Sequence, residues 1–170
     1  LHNNFDDIQI GAFTGSMNIV SFAGSNAMSV TTNGTVTAGS VAWSNYSVTC
    51  DLTLSGRVYG DLAFPVLMFR RKDASNYYAL YFNGIGSSLD LYRMVNGSIA
   101  WLAGTMMYLG DGRTLGMRID VFGDTISVYV KSISYPNFEY PVIIAKDNAI
   151  SSGGIGFVKD ESASSLIVDN

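Results

Sequence analysis

The stretch Tyr46-Ser47-Val48-Thr49-Cys50-Asp51-Leu52-Thr53-Leu54 alternates apolar and polar residues almost without fault. In an extended chain successive side chains point to opposite sides, so Tyr46, Val48, Cys50, Leu52 and Leu54 share one face. Ser47, Thr49, Asp51 and Thr53 share the other. The pattern predicts a strand with one buried side, and it reads Cys50 as a small core residue rather than a reactive thiol.

The same period recurs in both directions along the chain, and no helical period of any length competes with it. Asn76 to Asn83, Ser88 to Val95, Ile99 to Ala103, Thr114 to Phe122 and Asp124 to Val130 read as strands. So do Phe64 to Arg71, Gly154 to Lys159 and Ser164 to Asp169, with shorter candidates at Phe5 to Ile10, Asn18 to Phe22 and Ala27 to Thr32. Asn96-Gly97 separates two strands with residues that tolerate positive φ, a strong hairpin signal. Gly123-Asp124 separates another pair, and Lys72-Asp73-Ala74-Ser75 makes a turn. About a dozen strands joined by such turns, with no fixed-period repeat and no linker, predict one all-β domain over residues 1–170. Its architecture is expected to be a two-sheet antiparallel β-sandwich.

Composition narrows the function. Of 170 residues 48% are apolar, enough for one buried core, while only 14% are charged, against roughly 25% in an average soluble protein. Ten Lys and Arg against 14 Asp and Glu give a net charge of −4. So few cations cannot neutralise a row of phosphates, so no nucleic-acid partner is expected. One Cys and one His exclude an intramolecular disulfide and a Cys/His zinc cluster. A Ser-His-Asp triad would need His2, close to the first residue. No apolar run reaches the roughly 18 residues of a membrane span.

Three N-x-[ST] sequons, at Asn33, Asn45 and Asn96, lie beside glycines or strand entries where a glycan has room. The polar residues are mostly Ser, Thr, Asn and Gly. Together these features point to an extracellular or cell-surface protein. The first residue, Leu1, reads as the start of a domain excised from a longer chain.

Trp43-Ser44-Asn45-Tyr46-Ser47-Val48 is followed by Phe69-Arg70-Arg71-Lys72-Asp73-Ala74-Ser75-Asn76-Tyr77-Tyr78-Ala79-Leu80 and Leu91-Tyr92-Arg93-Met94-Val95-Asn96-Gly97. Leu115-Gly116-Met117-Arg118-Ile119-Asp120-Val121, Gly123-Asp124-Thr125-Ile126-Ser127-Val128-Tyr129-Val130 and Ser151-Ser152-Gly153-Gly154-Ile155-Gly156-Phe157 complete the series. This order resembles the concanavalin A-like, or laminin-G-like, jelly-roll domains. It is similar to carbohydrate-binding modules that accompany glycoside hydrolases and to the 3-keto-disaccharide-hydrolase-like domain. The resemblance implies a jelly-roll fold and a polysaccharide or glycan as ligand, with a neighbouring catalytic domain as a partner. It also implies a structural Ca²⁺ where first and last strands meet, at Asp6, Asp7 and Asp169. The segment Tyr135 to Ala145 is longer than in such modules and adds Tyr135, Phe138 and Tyr140.

Glycosidase chemistry needs two carboxyl groups at a fixed separation, one protonated and one ionised. The chain has two Glu, Glu139 and Glu161, with no matching acid beside either. Strand parity alone leaves Asp90 and Asp120 as a pair that could face each other. No catalytic residue is assigned, and the domain is expected to bind rather than hydrolyse. Sugar binding calls for open aromatic faces with polar groups beside them. Alternation puts Tyr78, Leu80 and Phe82 in the core and leaves Tyr77 and Tyr81 outside. Arg118 and Tyr129 alternate with apolar residues in the same way. Arg70, Tyr77, Tyr81, Arg118 and Tyr129 are therefore the expected lining of one shallow concave face, while Trp43 and Trp101 are expected to anchor the core or a hairpin. The other reading is a surface or filament subunit, a homo-oligomer completed by strand exchange through Leu1 to Ile10.

Overall fold

The computed structural model describes residues 2–3, 13–15, 17–22, 25–30, 34–55, 64–83, 87–107, 112–131, 137–159 and 165–169. Every regular element among them is a strand. In chain order these are β1 (His2–Asn3), β2 (Asn18–Phe22), β3 (Ser25–Val30), β4 (Gly34–Ala38), β5 (Tyr46–Ser55), β6 (Phe64–Asp73) and β7 (Asn76–Asn83). There follow β8 (Ser88–Val95), β9 (Ser98–Met106), β10 (Thr114–Phe122), β11 (Thr125–Lys131), β12 (Ile143–Lys146), β13 (Gly154–Lys159) and β14 (Ser165–Asp169).

They form two sheets. The larger runs β12-β11-β10-β5-β14-β3-β2, with β1 lying parallel beside β5; the smaller runs β4-β13-β6-β7-β8-β9, antiparallel throughout. The alternation read from sequence decides which side of each strand goes in. Cys50, Leu52, Met117, Ile119, Val128 and Leu166 of the larger sheet meet Leu67, Phe69, Leu80, Phe82, Leu91 and Phe157 of the smaller in one continuous core. Truncating one such side chain to Ala costs about 2–5 kcal/mol. Cys50 is fully enclosed, and burial, followed by the neighbouring Asp51 charge, pushes its thiol up. At Asn96 and Gly97 φ is 50° and 76°, so the β8–β9 hairpin has the turn its sequence announces.

Several strands differ from the sequence reading. β1, β4 and β12 are additional, β6 continues to Asp73 and β9 to Met106. Of the Phe5 to Ile10 candidate nothing lies within the described residues. β6 departs from its pairing in a specific place: Phe69 faces Tyr78 and Asp73 faces Asn76, so Arg70, Arg71 and Lys72 all stand opposite the single Tyr77. This bulge turns Arg70, at φ 45°, into the end of the sandwich.

Candidate functional site

The bulge removes Arg70 from the expected ligand set. Its side chain is 1% exposed, and its guanidinium donates to the carbonyls of Ile150 at 3.1 Å, Ser44 at 2.9 Å and Gly123 at 2.7 Å. The backbone N–H of Arg70 donates to the Tyr46 hydroxyl at 2.7 Å. Arg70 thus ties together three connections at one end of the fold, with no surface left for a ligand. Burial pushes the Tyr46 phenol up to about 12, so this hydroxyl stays protonated at neutral pH. Beside this clamp Arg93 pairs with Asp147, whose carboxylate also accepts from the Tyr78 hydroxyl and the Ala149 N–H.

The remaining four expected residues fall on two different sheets. Tyr77 and Tyr81 lie on the outer face of the smaller sheet, whereas Arg118 and Tyr129 lie on the outer face of the larger one. Asp90 and Asp120 divide in the same way, between β8 and β10, so they cannot share a cleft.

On the smaller sheet, cross-strand partners build a continuous aromatic strip, because residues directly opposite one another share a face. Tyr81 faces Asp90, Ala79 faces Tyr92 and Tyr77 faces Met94; Asp90 then faces Gly104, Tyr92 faces Trp101 and Met94 faces Ile99. Met68, Ala79 and Tyr81 form a small cluster apart from the main core, with Tyr77, Tyr92 and Val158 packed on it. The rings of Tyr81 and Tyr92 are 4.7 Å apart and tilted by 59°. Trp101 is 58% exposed, and its Nε1–H donates to Asp90 Oδ1 at 3.0 Å while the Ser88 hydroxyl donates to Asp90 Oδ2 at 2.6 Å. Gly104 makes that possible: a Cβ there would stand 2.1 Å from Asp90 Oδ1. Burial, then Tyr77, pushes the Tyr81 phenol up; burial, then Asp90, does the same for Tyr92. The strip therefore presents an indole, the Tyr92 phenol and a fixed carboxylate, while Tyr81, 9% exposed, is largely buried beside them.

Trp101, expected to anchor the core or a hairpin, lies on the β8–β9 hairpin with its indole outside and bonded to Asp90 across the pair. Leu91 faces Ala103 while Tyr92 faces Trp101, so Leu102 is an extra residue, and alternation breaks there. Leu102 and Ala103 both pack on the core and Trp101 turns outward. Trp43, by contrast, packs on the core edge-on to Tyr46, with rings 5.8 Å apart.

On the larger sheet the Arg118 guanidinium lies 3.9 Å from the Tyr129 ring centre and 5.6 Å from that of Phe138, and Lys131 lies 5.4 Å from Phe138. Arg118 Nε is 3.4 Å from Asp120 Oδ2, an ion pair without hydrogen-bond geometry. The cation thus covers the aromatic face that a sugar would need. Asp169 stands opposite Asp51 on this sheet, an acid the sequence reading missed although both occupy outward strand positions. Asp6 and Asp7 lie outside the described residues. Among the described residues no group of three or more His, Cys, Asp or Glu is gathered as a metal site. Asn45 and Asn96 are exposed, with Asn45 Oδ1 accepting from the Gly123 N–H at 2.8 Å, and Asn33 lies outside the described residues.

Two facing antiparallel sheets in this order define a concanavalin A-like jelly-roll sandwich. The structure is similar to a carbohydrate-binding module, CBM66, from Bacillus subtilis, with a TM-score of 0.68 and 19% identity over 94% of this chain and 92% of that one. It is also similar to the exoplasmic/lumenal domain of VIP36 in its Ca²⁺-bound form, with a TM-score of 0.62 and 10% identity over 94% and 84% of the two chains. Domain 4 of AbnA, a GH43 extracellular arabinanase from Geobacillus stearothermophilus solved with arabinotriose, matches with a TM-score of 0.56 and 10% identity over 93% and 82%. At these identities the likeness is one of fold. No protein-family model and no curated protein matches the chain in sequence.

Proposed function

We propose that the chain is a non-catalytic, extracellular or cell-surface carbohydrate-binding module that takes a polysaccharide or glycan on the outer face of its smaller sheet. The observation that carries this reading is the exposed Trp101 indole beside Tyr92 and Tyr81, hydrogen-bonded to a fixed Asp90. The apolar C–H face of a sugar ring stacks on such an indole, and a carboxylate held in place accepts hydroxyl donors at little ordering cost. Each Asp90 oxygen keeps acceptor capacity beyond the one bond described. Tyr77 and Tyr81 extend the strip; Arg118 and Tyr129 belong to the second face. The solved structures of similar fold named as a carbohydrate-binding module and as an arabinotriose complex support the class of ligand. Asn45 and Asn96, both exposed, are open to glycosylation if the chain is secreted.

Calcium is a separate question. Ca²⁺ takes about six to eight oxygens, and the described residues offer Asp51 and Asp169 as adjacent carboxylates. If an ion binds there it stabilises the folded state, so a melting temperature unmoved by EDTA removes it from the account.

Affinity electrophoresis against a panel of soluble polysaccharides tests the main reading. The expected result is retardation on at least one gel, lost in Trp101→Ala. No retardation on any, or retardation unchanged in that variant, overturns it. A monodisperse monomer at high concentration counts against the filament alternative.

A further inference from the structure

At the opposite edge of the smaller sheet, β4, β13 and the bulge of β6 enclose a notch of about 190 Å³. Its lining includes Thr14, Thr37, Gly39, Arg71, Lys72 and Gly154. We propose that this notch binds one carboxylate-bearing sugar ring, a uronate, of an acidic polysaccharide. The proposal rests on the carbohydrate-binding reading and adds the charge class of the ligand.

Charge is the first argument. Two of the ten cations of a chain with net charge −4 stand here side by side. The described ion pairs join Arg93 to Asp147 and Arg118 to Asp120, so neither Arg71 nor Lys72 is held in an ion pair with a described acid. The nearest acid in sequence, Asp73, is turned into its own hairpin, where it accepts from the Ser75 N–H at 2.7 Å and from Asn76 Nδ2 at 3.0 Å. Those bonds, the Ser75 N–H foremost, and last the Arg71 charge hold its carboxyl below the usual range. Arg71 Nε is moreover buried with no hydrogen-bond partner.

Hydroxyl chemistry is the second. Thr14 bridges Thr37 by two backbone hydrogen bonds of 2.9 Å, and their hydroxyls lie 3.1 Å apart. This places two adaptable donor–acceptor groups opposite the cations, which suits a ring bearing both hydroxyls and a carboxylate better than a bare anion. Gly39 and Gly154 stand where no side chain fits: a Cβ on Gly39 would meet the Trp43 ring at 2.4 Å and one on Gly154 the Ala38 carbonyl at 2.5 Å. The volume equals about six waters at roughly 30 Å³ each, room for one ring and not a chain. Thr37 sits between inward-facing Val36 and Ala38, so the notch lies on the same outer face as Tyr77, at the far edge from Trp101.

The test is a series of ¹⁵N-correlation titrations of the whole chain with sodium D-glucuronate, D-glucose and sodium phosphate, each at equal ionic strength. Glucuronate is expected to shift the Thr37, Gly39, Arg71 and Gly154 amides saturably, at least ten-fold more tightly than glucose or phosphate. The double substitution R71Q/K72Q is expected to weaken that binding at least ten-fold with an unchanged melting temperature. Glucose binding as tightly as glucuronate, phosphate reproducing the same shifts at the same concentration, or a double variant that binds undiminished each overturns the proposal. Retention on a neutral polysaccharide that depends on Trp101, with no glucuronate response, would remove the notch and leave the aromatic strip standing.

Discussion

On the outer face of β10 and β11 the Arg118 guanidinium lies 3.9 Å from the ring of Tyr129, with Phe138 close by. On the outer face of β8 and β9 the Trp101 indole is 58% exposed and its N–H is spent on Asp90. Both faces offer aromatics, a carboxylate and strand-borne polar groups, so residue types alone rank them equally. What separates them is what covers the ring. A cation stacked on an aromatic occupies the surface a sugar would use, whereas an edge-on hydrogen bond from an indole N–H fixes the ring and leaves its face open.

Arg70 supports both faces and belongs to neither, and its loss gives the largest expected effect. Arg70→Ala leaves the carbonyls of Ile150, Ser44 and Gly123 without their donor and is expected to cost about 3–5 kcal/mol in urea unfolding. A loss below about 1 kcal/mol would mean the three connections hold without it. The next effect distinguishes the faces directly. Trp101→Ala is expected to weaken polysaccharide binding about 30-fold, the roughly 2 kcal/mol of an interface hot spot, with little change in melting temperature. Arg118→Ala should leave affinity within about two-fold. The reverse pattern would exchange the roles of the two faces.

A glycine on each face gives a finer contrast. Gly104→Ala would drive a Cβ to 2.1 Å from Asp90 Oδ1, and displacing that carboxylate is expected to lower affinity several-fold. Gly116→Ala meets Asp51 Oδ1 and Lys131 Cε at 2.9 Å on the other face and is expected to leave binding unchanged. Equal losses from both would show that strain, and not the position of Asp90, governs affinity. The smallest effect is one of pH. Desolvation raises the Asp147 pKa, but hydrogen bonds from Tyr78 and Ala149 and the Arg93 charge outweigh it and hold the carboxyl below its usual range. A depressed folded-state pKa gives stability that is present above the unfolded value of about 3.9 and lost as pH falls through the folded one. Asp147→Asn should therefore flatten the fall in stability below about pH 4. An acid limb as steep as that of the parent chain would assign it to other carboxylates.

Much of this architecture was legible before any coordinates. The inner faces of β5, β10 and β11 and the Asn96-Gly97 hairpin follow from alternation and turn chemistry alone. Tyr77 and Tyr81 were placed on an outer face for the same reason. The inward turn of Arg70 and the outward turn of Trp101 share one physical origin. A bulge adds residues on one side of a ladder and resets parity, and it did so at Arg70, where three residues face one, and at Leu102, beside Trp101. Arg118 and Tyr129 show another limit: parity gives the side of a strand and not the sheet to which the strand belongs. Asp90 was weighed as half of an acid pair, but its hydrogen bond to Trp101 depends on the shifted register of β9, which no local pattern encodes.

The chain holds two tryptophans, one on the proposed binding face and one packed at the end of the sandwich. Their indole N–H resonances can be followed separately while a polysaccharide that retards the protein is titrated in. The account predicts that the Trp101 indole signal shifts saturably and that of Trp43 stays in place. A saturable shift of Trp43, or of Arg118 side-chain signals, with Trp101 unmoved would contradict it.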